Sequence, residues 1–181
     1  MTLTQADATA ALRDAEAMEH RSARLRGYQS ASPHLIIWGI VWAVGYAASY
    51  LEPAWTNTIW LVLVAVGTAG SIAAGMADGR KGVRAEGLAV LGATFVVFIA
   101  GTFVVMQPHD PRQPAAFFPL VVAAGYAIMG ALGATRMLII AAALAALTIG
   151  GFLELGNLFL PWMAVVGGGG LVLGGVWLRQ P

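Results

Sequence analysis

Hydrophobic residues in this chain are gathered into six long runs, and polar residues are confined to the short segments between them. A helix that crosses about 30 Å of hydrocarbon needs about 17–25 residues at a rise of about 1.5 Å per residue. Helices also satisfy every backbone hydrogen bond within the segment, as lipid requires. The pattern therefore predicts an all-α bundle of six transmembrane helices, with spans at Leu35–Leu51, Thr58–Ala77, Gly87–Met106, Ala115–Thr135, Met137–Leu153 and Leu158–Leu178.

A polar segment precedes the first run and differs from the rest of the chain. Residues 1–29 place acids first and bases last, which complements a helix dipole, and Gly27 suits a helix end. We expect a cytoplasmic N-terminal helix here, followed by one membrane domain over residues 30–181. A solvated helix leading into the first span is favoured over one that docks a partner or lies on the membrane, because its apolar stripe is thin.

Composition supports a membrane protein and removes several classes of function. The chain is 59% hydrophobic and only 10% charged, whereas a soluble domain carries about 25% charged residues. Its net charge of +1 implies no bulk attraction to nucleic acid. Cysteine is absent, which excludes disulfides, thiolate nucleophiles and cysteine-bound metals.

The bases predict the orientation. Nine of the ten fall in segments that the six spans place on one side of the membrane, and only Arg112 falls on the other. Positive-inside bias puts the nine in the cytoplasm, with both termini there too. The nine are Arg13, Arg21, Arg24, Arg26, Arg80, Lys81, Arg84, Arg136 and Arg179. We therefore expect a multi-pass membrane protein with cytoplasmic termini.

An internal repeat is a further hypothesis. Residues 33–76 align with residues 113–156, so that Gly45 and Tyr46 meet Gly125 and Tyr126, and Thr68 meets Thr148. Three helices per unit would make the second unit inverted in the membrane, as in many transporters. Chance matches among alanine, glycine, valine and leucine are the alternative explanation.

Few polar side chains within the runs are candidates for function. Glu52 and Glu154 end spans one and five, where they line an outer vestibule or are simply hydrated at headgroup level. A candidate polar pathway joins them to four hydroxyl-bearing residues, Tyr46, Thr68, Tyr126 and Thr148. No run has an acid at its centre, which argues against a proton-coupled pump.

The sequence predicts no catalytic residue, metal site or cofactor. No two histidines share a depth for haem ligation, and the only lysine, Lys81, lies in a loop. Ser49 and Ser71 have no histidine or lysine partner within the membrane, so an intramembrane serine protease is not indicated.

Small residues recur at helical spacing and predict close helix packing. Such positions are Gly67, Ser71 and Gly75 on span two, and Gly170 and Gly174 on span six. Span six also contains four consecutive glycines, Gly167, Gly168, Gly169 and Gly170. Each weakens a helix by about 1 kcal/mol relative to alanine, so we expect a bend or break there.

The stretch from Trp38 to Trp42, with Gly45 and Tyr46 after it and a polar helix before it, resembles the opening of some small bacterial multi-pass membrane proteins. The resemblance covers about the first 50 residues. It implies a bacterial inner-membrane setting and no particular activity.

Three classes of function remain, all in contact with the lipid bilayer and none with nucleic acid. The first is a scaffold or subunit that associates through its helices with a protein partner or with further copies of itself. The alternative is a small-solute transporter or channel built on the inverted repeat. A membrane enzyme is the third and the least favoured.

Overall fold

The computed structural model describes residues 5–77 and 85–180, and these are almost entirely helical, without a strand. The predicted loop bases Arg80, Lys81 and Arg84 lie outside the described residues. Short 3₁₀ turns at Pro53–Trp55 and Gly156–Leu158 connect neighbouring helices. The α-helices are α1 (Gln5–Leu51), α2 (Thr56–Ala77), α3 (Ala85–Met106), α4 (Arg112–Ala131), α5 (Thr135–Glu154), α6 (Phe159–Trp162) and α7 (Gly169–Leu178).

Five stretches of the described chain are long and apolar enough to cross a membrane. They correspond to predicted spans one, two, four, five and six, and α3, which contains the apolar stretch Gly92–Met106, lies at the place of predicted span three. The fold is therefore a multi-helix apolar bundle, as expected of a membrane-embedded protein. The five stretches are Leu25–Leu51, Pro53–Met76, Arg112–Ala131, Thr135–Glu154 and Gly156–Leu178.

The first helix is longer than predicted, and the prediction that a helix ends at Gly27 is wrong. Gly27 does not end a helix, because α1 continues through Gly27 and Pro33 as one helix of 47 residues. The next residue, Tyr28, is buried, and Ser30, Ser32 and Leu35 are buried after it. This packing outweighs the helix propensity that Gly27 costs. The polar segment and the first span are thus one continuous rod.

Two ends of the bundle are used as reference points below. The distal end contains the turn at Pro53–Trp55, the loop at 107–111 and the turn at Gly156–Leu158. The terminal end contains Tyr28, the turn at 132–134 and Gln180. Span four ends at Ala131 rather than at the predicted Thr135, because Gly133 adopts a φ of +109° and turns the chain back into α5.

The closest helix packing joins α1 to the last span. A Cβ on Gly39 would lie 2.7 Å from the Gly168 carbonyl oxygen, and a Cβ on Gly168 would lie 2.7 Å from the Ala43 Cα. Seven residues after Gly168, a Cβ on Gly175 would lie 2.7 Å from Ile36 Cγ1. Backbones approach this closely only where glycine removes the side chain.

The last span changes its helix type along its length. It is α-helical over Phe159–Trp162, π-helical over Met163–Gly168 and α-helical again from Gly169. The irregular segment therefore includes Gly167 and Gly168 but begins before the four glycines, two residues after Pro161, which has no N–H to donate. Single-turn π segments inside α-helices are uncommon and often occur at functional sites.

An arginine cluster holds the terminal end together. The Arg136 guanidinium lies over the rings of Tyr28 and Trp177, 5.4 and 5.3 Å from their centroids. Its Nη1 donates to the backbone oxygen of Gln180 at 2.6 Å. Arg179 Nε donates to Ser32 Oγ at 2.8 Å, which ties the end of α7 to α1.

Helices α2 and α3 pack much less than the others. Of the α2 residues whose side chains are described, only Gly67 is buried. The described side chains of α3 are nearly all exposed, and its ring contacts are those of Phe103 with Phe117 and Phe118 of α4. In the predicted repeat, α4 corresponds to α1 and the last span corresponds to α3. The contact between α1 and the last span is close, whereas the corresponding contact between α4 and α3 is slight. The inverted repeat stays a prediction.

Candidate functional site

A large cleft, called the distal cleft below, opens at the distal end of the bundle and extends along it between α1, α2, α3, α4 and the last span. Its volume is about 1570 Å³, larger than the roughly 300–1,000 Å³ typical of sites for drug-sized ligands. Trp38 of α1 and Met129 of α4 border it towards the terminal end, and Asp110 and Asn157 border it at the distal end. The weak packing of α3 leaves this space unfilled.

Aromatic side chains form much of the cleft wall. The Tyr46 ring packs edge-on against Trp42 and Trp60, with centroid separations of 6.1 and 5.1 Å. Gly45 leaves room for this arrangement, since a Cβ there would lie 2.8 Å from the Trp60 ring. Phe118 faces the same space from α4. Edge-to-face contacts of this kind hold the rings in fixed orientations.

One hydrogen bond fixes the geometry of the wall across two helices. Pro119 lies inside α4 and has no N–H to give to the carbonyl of Ala115, four residues earlier. The Tyr46 hydroxyl donates to that carbonyl at 2.7 Å. Tyr46 is only 2% exposed, so its hydroxyl needs such a partner. The Tyr46 hydroxyl thus gains an acceptor, and the Ala115 carbonyl gains the donor that Pro119 lacks.

The distal mouth of the cleft is polar. Arg112 Nη2 donates to Asp110 Oδ2 at 2.6 Å, and Arg112 Nε donates to the same oxygen at 2.9 Å. Hydrogen bonding from Arg112 holds the pKa of the Asp110 carboxyl below its usual range. Thr56, Asn57 and Asn157 border the mouth as well. Among the described lining residues, Asp110 and Arg112 alone carry charge, and their charges cancel.

Ser49 stands between the aromatic wall and the polar mouth. It is one helical turn beyond Tyr46 on α1 and borders the cleft. The residue is 3% exposed, and its Oγ has no hydrogen-bond partner among the described residues. A buried hydroxyl without a partner costs about 1–3 kcal/mol. Ser49 therefore places an unused hydrogen-bonding group at the wall of the cleft.

The structure brings together two of the six predicted pathway residues. Tyr46 and Tyr126 both line the cleft, and Tyr126 is only half-buried. Thr68 is exposed on α2, whereas Thr148 is fully buried in α5 with its Oγ1 unpaired. The two acids, Glu52 and Glu154, are exposed at the distal end and do not line the cleft.

The predicted packing positions of span two are used unequally. A Cβ on Gly67 would lie 3.0 Å from Val41 Cγ2, so this glycine faces α1 closely. Ser71 Oγ accepts a hydrogen bond from Trp38 Nε1 at 3.1 Å. A Cβ on Gly75 would have no neighbour within 4 Å.

In span six, the predicted spacing and the observed close approach differ. A Cβ on Gly174 would lie 3.1 Å from Ile140 Cδ1, but one on Gly170 would meet nothing within 4 Å. Gly169 is equally open, and Gly167 faces the side chain of Met163 on its own helix. Gly168 and Gly175, seven residues apart, approach α1 more closely than the other glycines of this span.

Sequence reasoning missed most of the cleft. The sequence indicates Ser49 only as a possible nucleophile, Trp42 only as part of the stretch that carries the resemblance, and Trp60 only as part of span two. One signal was available, because Arg112 is the sole base that the spans place at that end, beside Asp110. The cleft itself depends on the position of α3, which no local pattern encodes.

Comparison with models of protein families, with curated proteins and with solved structures finds no match to this chain. The resemblance to small bacterial membrane proteins thus stays a prediction, and function has to be argued from the cleft.

Proposed function

We propose that this chain is an integral membrane protein that binds an amphiphilic small molecule in the distal cleft. The observation that carries the proposal is the division of the cleft into an aromatic wall and a polar mouth. Trp42, Tyr46 and Trp60 offer apolar surface, whereas Asn57 and the Asp110–Arg112 pair offer polar groups. A molecule with one apolar and one polar part matches both regions, as is general for ligand sites with few convergent polar groups.

The same division of the cleft limits the class of solute that a transporter of this kind could carry. A pathway for ions or small polar solutes needs rings of polar groups through its length. The middle of this cleft offers mainly Trp42, Trp60, Val64 and Val122. If the protein moves a solute, the solute is amphiphilic and enters from the bilayer.

The scaffold remains a second candidate, and α1 favours it. Leu12 and Met18 are 62% and 66% exposed on the part of α1 that precedes the first apolar stretch. Because α1 is continuous, a partner bound there would be held rigidly to the bundle. Deletion of residues 1–22 tests this candidate: a scaffold loses its co-purifying partner, whereas binding in the cleft is unchanged.

The membrane orientation belongs to the same proposal. With the terminal end in the cytoplasm, nine of the ten bases are cytoplasmic and Arg112 is external, in keeping with positive-inside bias. The cleft mouth then faces the outer leaflet of a bacterial inner membrane. Reporter fusions at residue 110 should be external, and fusions at residue 181 cytoplasmic. A cytoplasmic signal at residue 110 would overturn this orientation.

The binding proposal is tested by filling the cleft. Gly125 lines it, and a Cβ there meets nothing within 4 Å. Gly125→Leu therefore adds volume to the cleft without a clash at Cβ. Gly150→Leu is the matched control, since Gly150 is equally open on α5 but lies outside the cleft.

The probe is a fatty alcohol with a photoactivatable diazirine in its chain, added to the full chain in nanodiscs. Labelled positions are mapped by peptide mass spectrometry. We expect labelling at Trp42, Tyr46 and Trp60 that falls several-fold in Gly125→Leu and not in Gly150→Leu. Labelling confined to lipid-facing positions, and equal in both variants, would refute the proposal.

A further inference from the structure

We infer that the cleft takes the acyl chain of an ester-linked membrane lipid with no net headgroup charge, and that Ser49 donates a hydrogen bond to its ester carbonyl. The inference rests on the proposed function and names the ligand class of that site. Four observations carry it: the length of the α1 wall from Ser49 to Trp38, the volume of the cleft, its charges and the unpaired hydroxyl of Ser49.

The part of the cleft wall from Ser49 to Trp38 on α1 is about as long as one leaflet is thick. Ser49 and Trp38 both border the cleft and are eleven residues apart on α1, which corresponds to about 16 Å along a helix. Half of a hydrocarbon core of about 30 Å is about 15 Å. A chain that begins at the level of Ser49 therefore extends along the wall to the level of Trp38. The volume of about 1570 Å³ suits a molecule of lipid size.

The charges at the distal end select the headgroup. Asp110 and Arg112 form a closed pair, so they attract neither a net anion nor a net cation strongly. The exposed Glu52 and Glu154 add negative charge at the same end of the bundle and disfavour an anionic lipid. A zwitterionic headgroup such as phosphocholine has no net charge to be repelled and offers both signs to the pair.

Ser49 selects the linkage. A lipid carries its ester carbonyls between the apolar chain and the polar head, and Ser49 lies between the aromatic wall and the polar mouth. The ester carbonyl accepts hydrogen bonds, whereas the ether linkage lacks this carbonyl. The serine hydroxyl has no partner among the described residues, so a lipid carbonyl would satisfy a donor that is otherwise buried without one.

The test compares two lipids that differ only in this linkage. The full chain is reconstituted in nanodiscs of diether phosphatidylcholine. A small fraction of photoactivatable phosphatidylcholine is added, either ester- or ether-linked, with the diazirine at the same position of the chain. Labelling of cleft residues is divided by labelling of the exposed face of α2, which corrects for bulk lipid.

We expect the parent chain to favour the ester lipid by about three- to tenfold, as one hydrogen bond is generally worth. Ser49→Ala should bring this ratio close to one. Ser49→Cys, which keeps a similar volume with a weaker donor, should lie between them and carries the test should the alanine variant not fold. Thr148→Val is the control, because Thr148 is also buried and unpaired but lies outside the cleft.

The outcomes separate the two proposals. Equal labelling of the cleft by both lipids in the parent chain, or a preference that survives in Ser49→Ala, overturns the inference and leaves the proposed function standing. Absence of cleft labelling by either lipid, together with a negative fatty-alcohol experiment, overturns both. Stronger labelling by an ester-linked phosphatidylglycerol than by phosphatidylcholine refutes the headgroup assignment.

Discussion

The two sides of α1 show opposite solutions to packing in a membrane. On one side α1 meets the last span so closely that Gly39, Gly168 and Gly175 leave no room for a side chain. On the other side it faces α2 and the distal cleft, where large aromatic rings stand around unfilled space. We call these the closed side and the open side.

This difference separates rigidity from binding. Helices in lipid gain little hydrophobic energy from meeting one another, so close van der Waals packing of small residues holds the closed side. The open side has few such contacts and instead displays apolar rings, which a ligand or lipid can cover. The closed side then holds Trp42 and Tyr46 of α1 in place. The opposite wall of the cleft, formed by the weakly packed α3, can adjust its position to a ligand.

The largest effect is expected from a methyl group on the closed side. Gly168→Ala puts a Cβ within 2.7 Å of the Ala43 Cα, and backbone cannot yield as a flexible side chain would. The free energy of unfolding in mixed micelles should fall by about 1–3 kcal/mol, the usual cost of overpacking.

Its neighbour provides the control. A Cβ on Gly169 meets nothing within 4 Å, so Gly169→Ala should raise the free energy of unfolding by up to about 1 kcal/mol through helix propensity. Equal changes in the free energy of unfolding for Gly168→Ala and Gly169→Ala would contradict the close packing of the closed side.

A smaller effect is expected at the hydrogen bond between α1 and α4. Tyr46→Phe removes the donor to the Ala115 carbonyl, which Pro119 cannot replace. We expect a loss of about 1–2 kcal/mol in the free energy of unfolding, in the range for an unsatisfied buried acceptor. Tyr126→Phe should change stability little, because Tyr126 makes no hydrogen bond within the described part of the chain. Equal losses would show that the tyrosine of α1 has no special role.

The smallest effect is expected from a buried hydroxyl of α5. Thr148 is 0% exposed and its Oγ1 is unpaired. Thr148→Val keeps the shape and removes the polar atom, so stability in thermal unfolding should be unchanged or slightly raised. A clear fall in the melting temperature would mean that this hydroxyl has a partner after all.

The sequence was informative wherever one helix decides the outcome. Long apolar runs predicted the helices, and the four glycines lay at the edge of the π-helical segment. Gly27 misled because its local preference for a helix end is overridden by the burial of Tyr28 on the next position.

Features that depend on two helices were harder to predict. Gly170 and Gly174 have the usual spacing for packing, yet Gly168 and Gly175, seven residues apart, make the closest approach to α1. The pairing of Tyr46 with Pro119 joins distant parts of the chain, and the cleft depends on where α3 lies. No alternation or spacing within one helix records these relations.

A cryo-EM structure of the full chain in a nanodisc of ester-linked phosphatidylcholine would show whether the open side of α1 holds a lipid. We expect α3 to lie apart from α1, and elongated density to run along Trp42, Tyr46 and Trp60 and end in a polar head near Arg112. A structure in which α3 packs against α1 and α2, leaving no cleft for a ligand, would contradict this expectation.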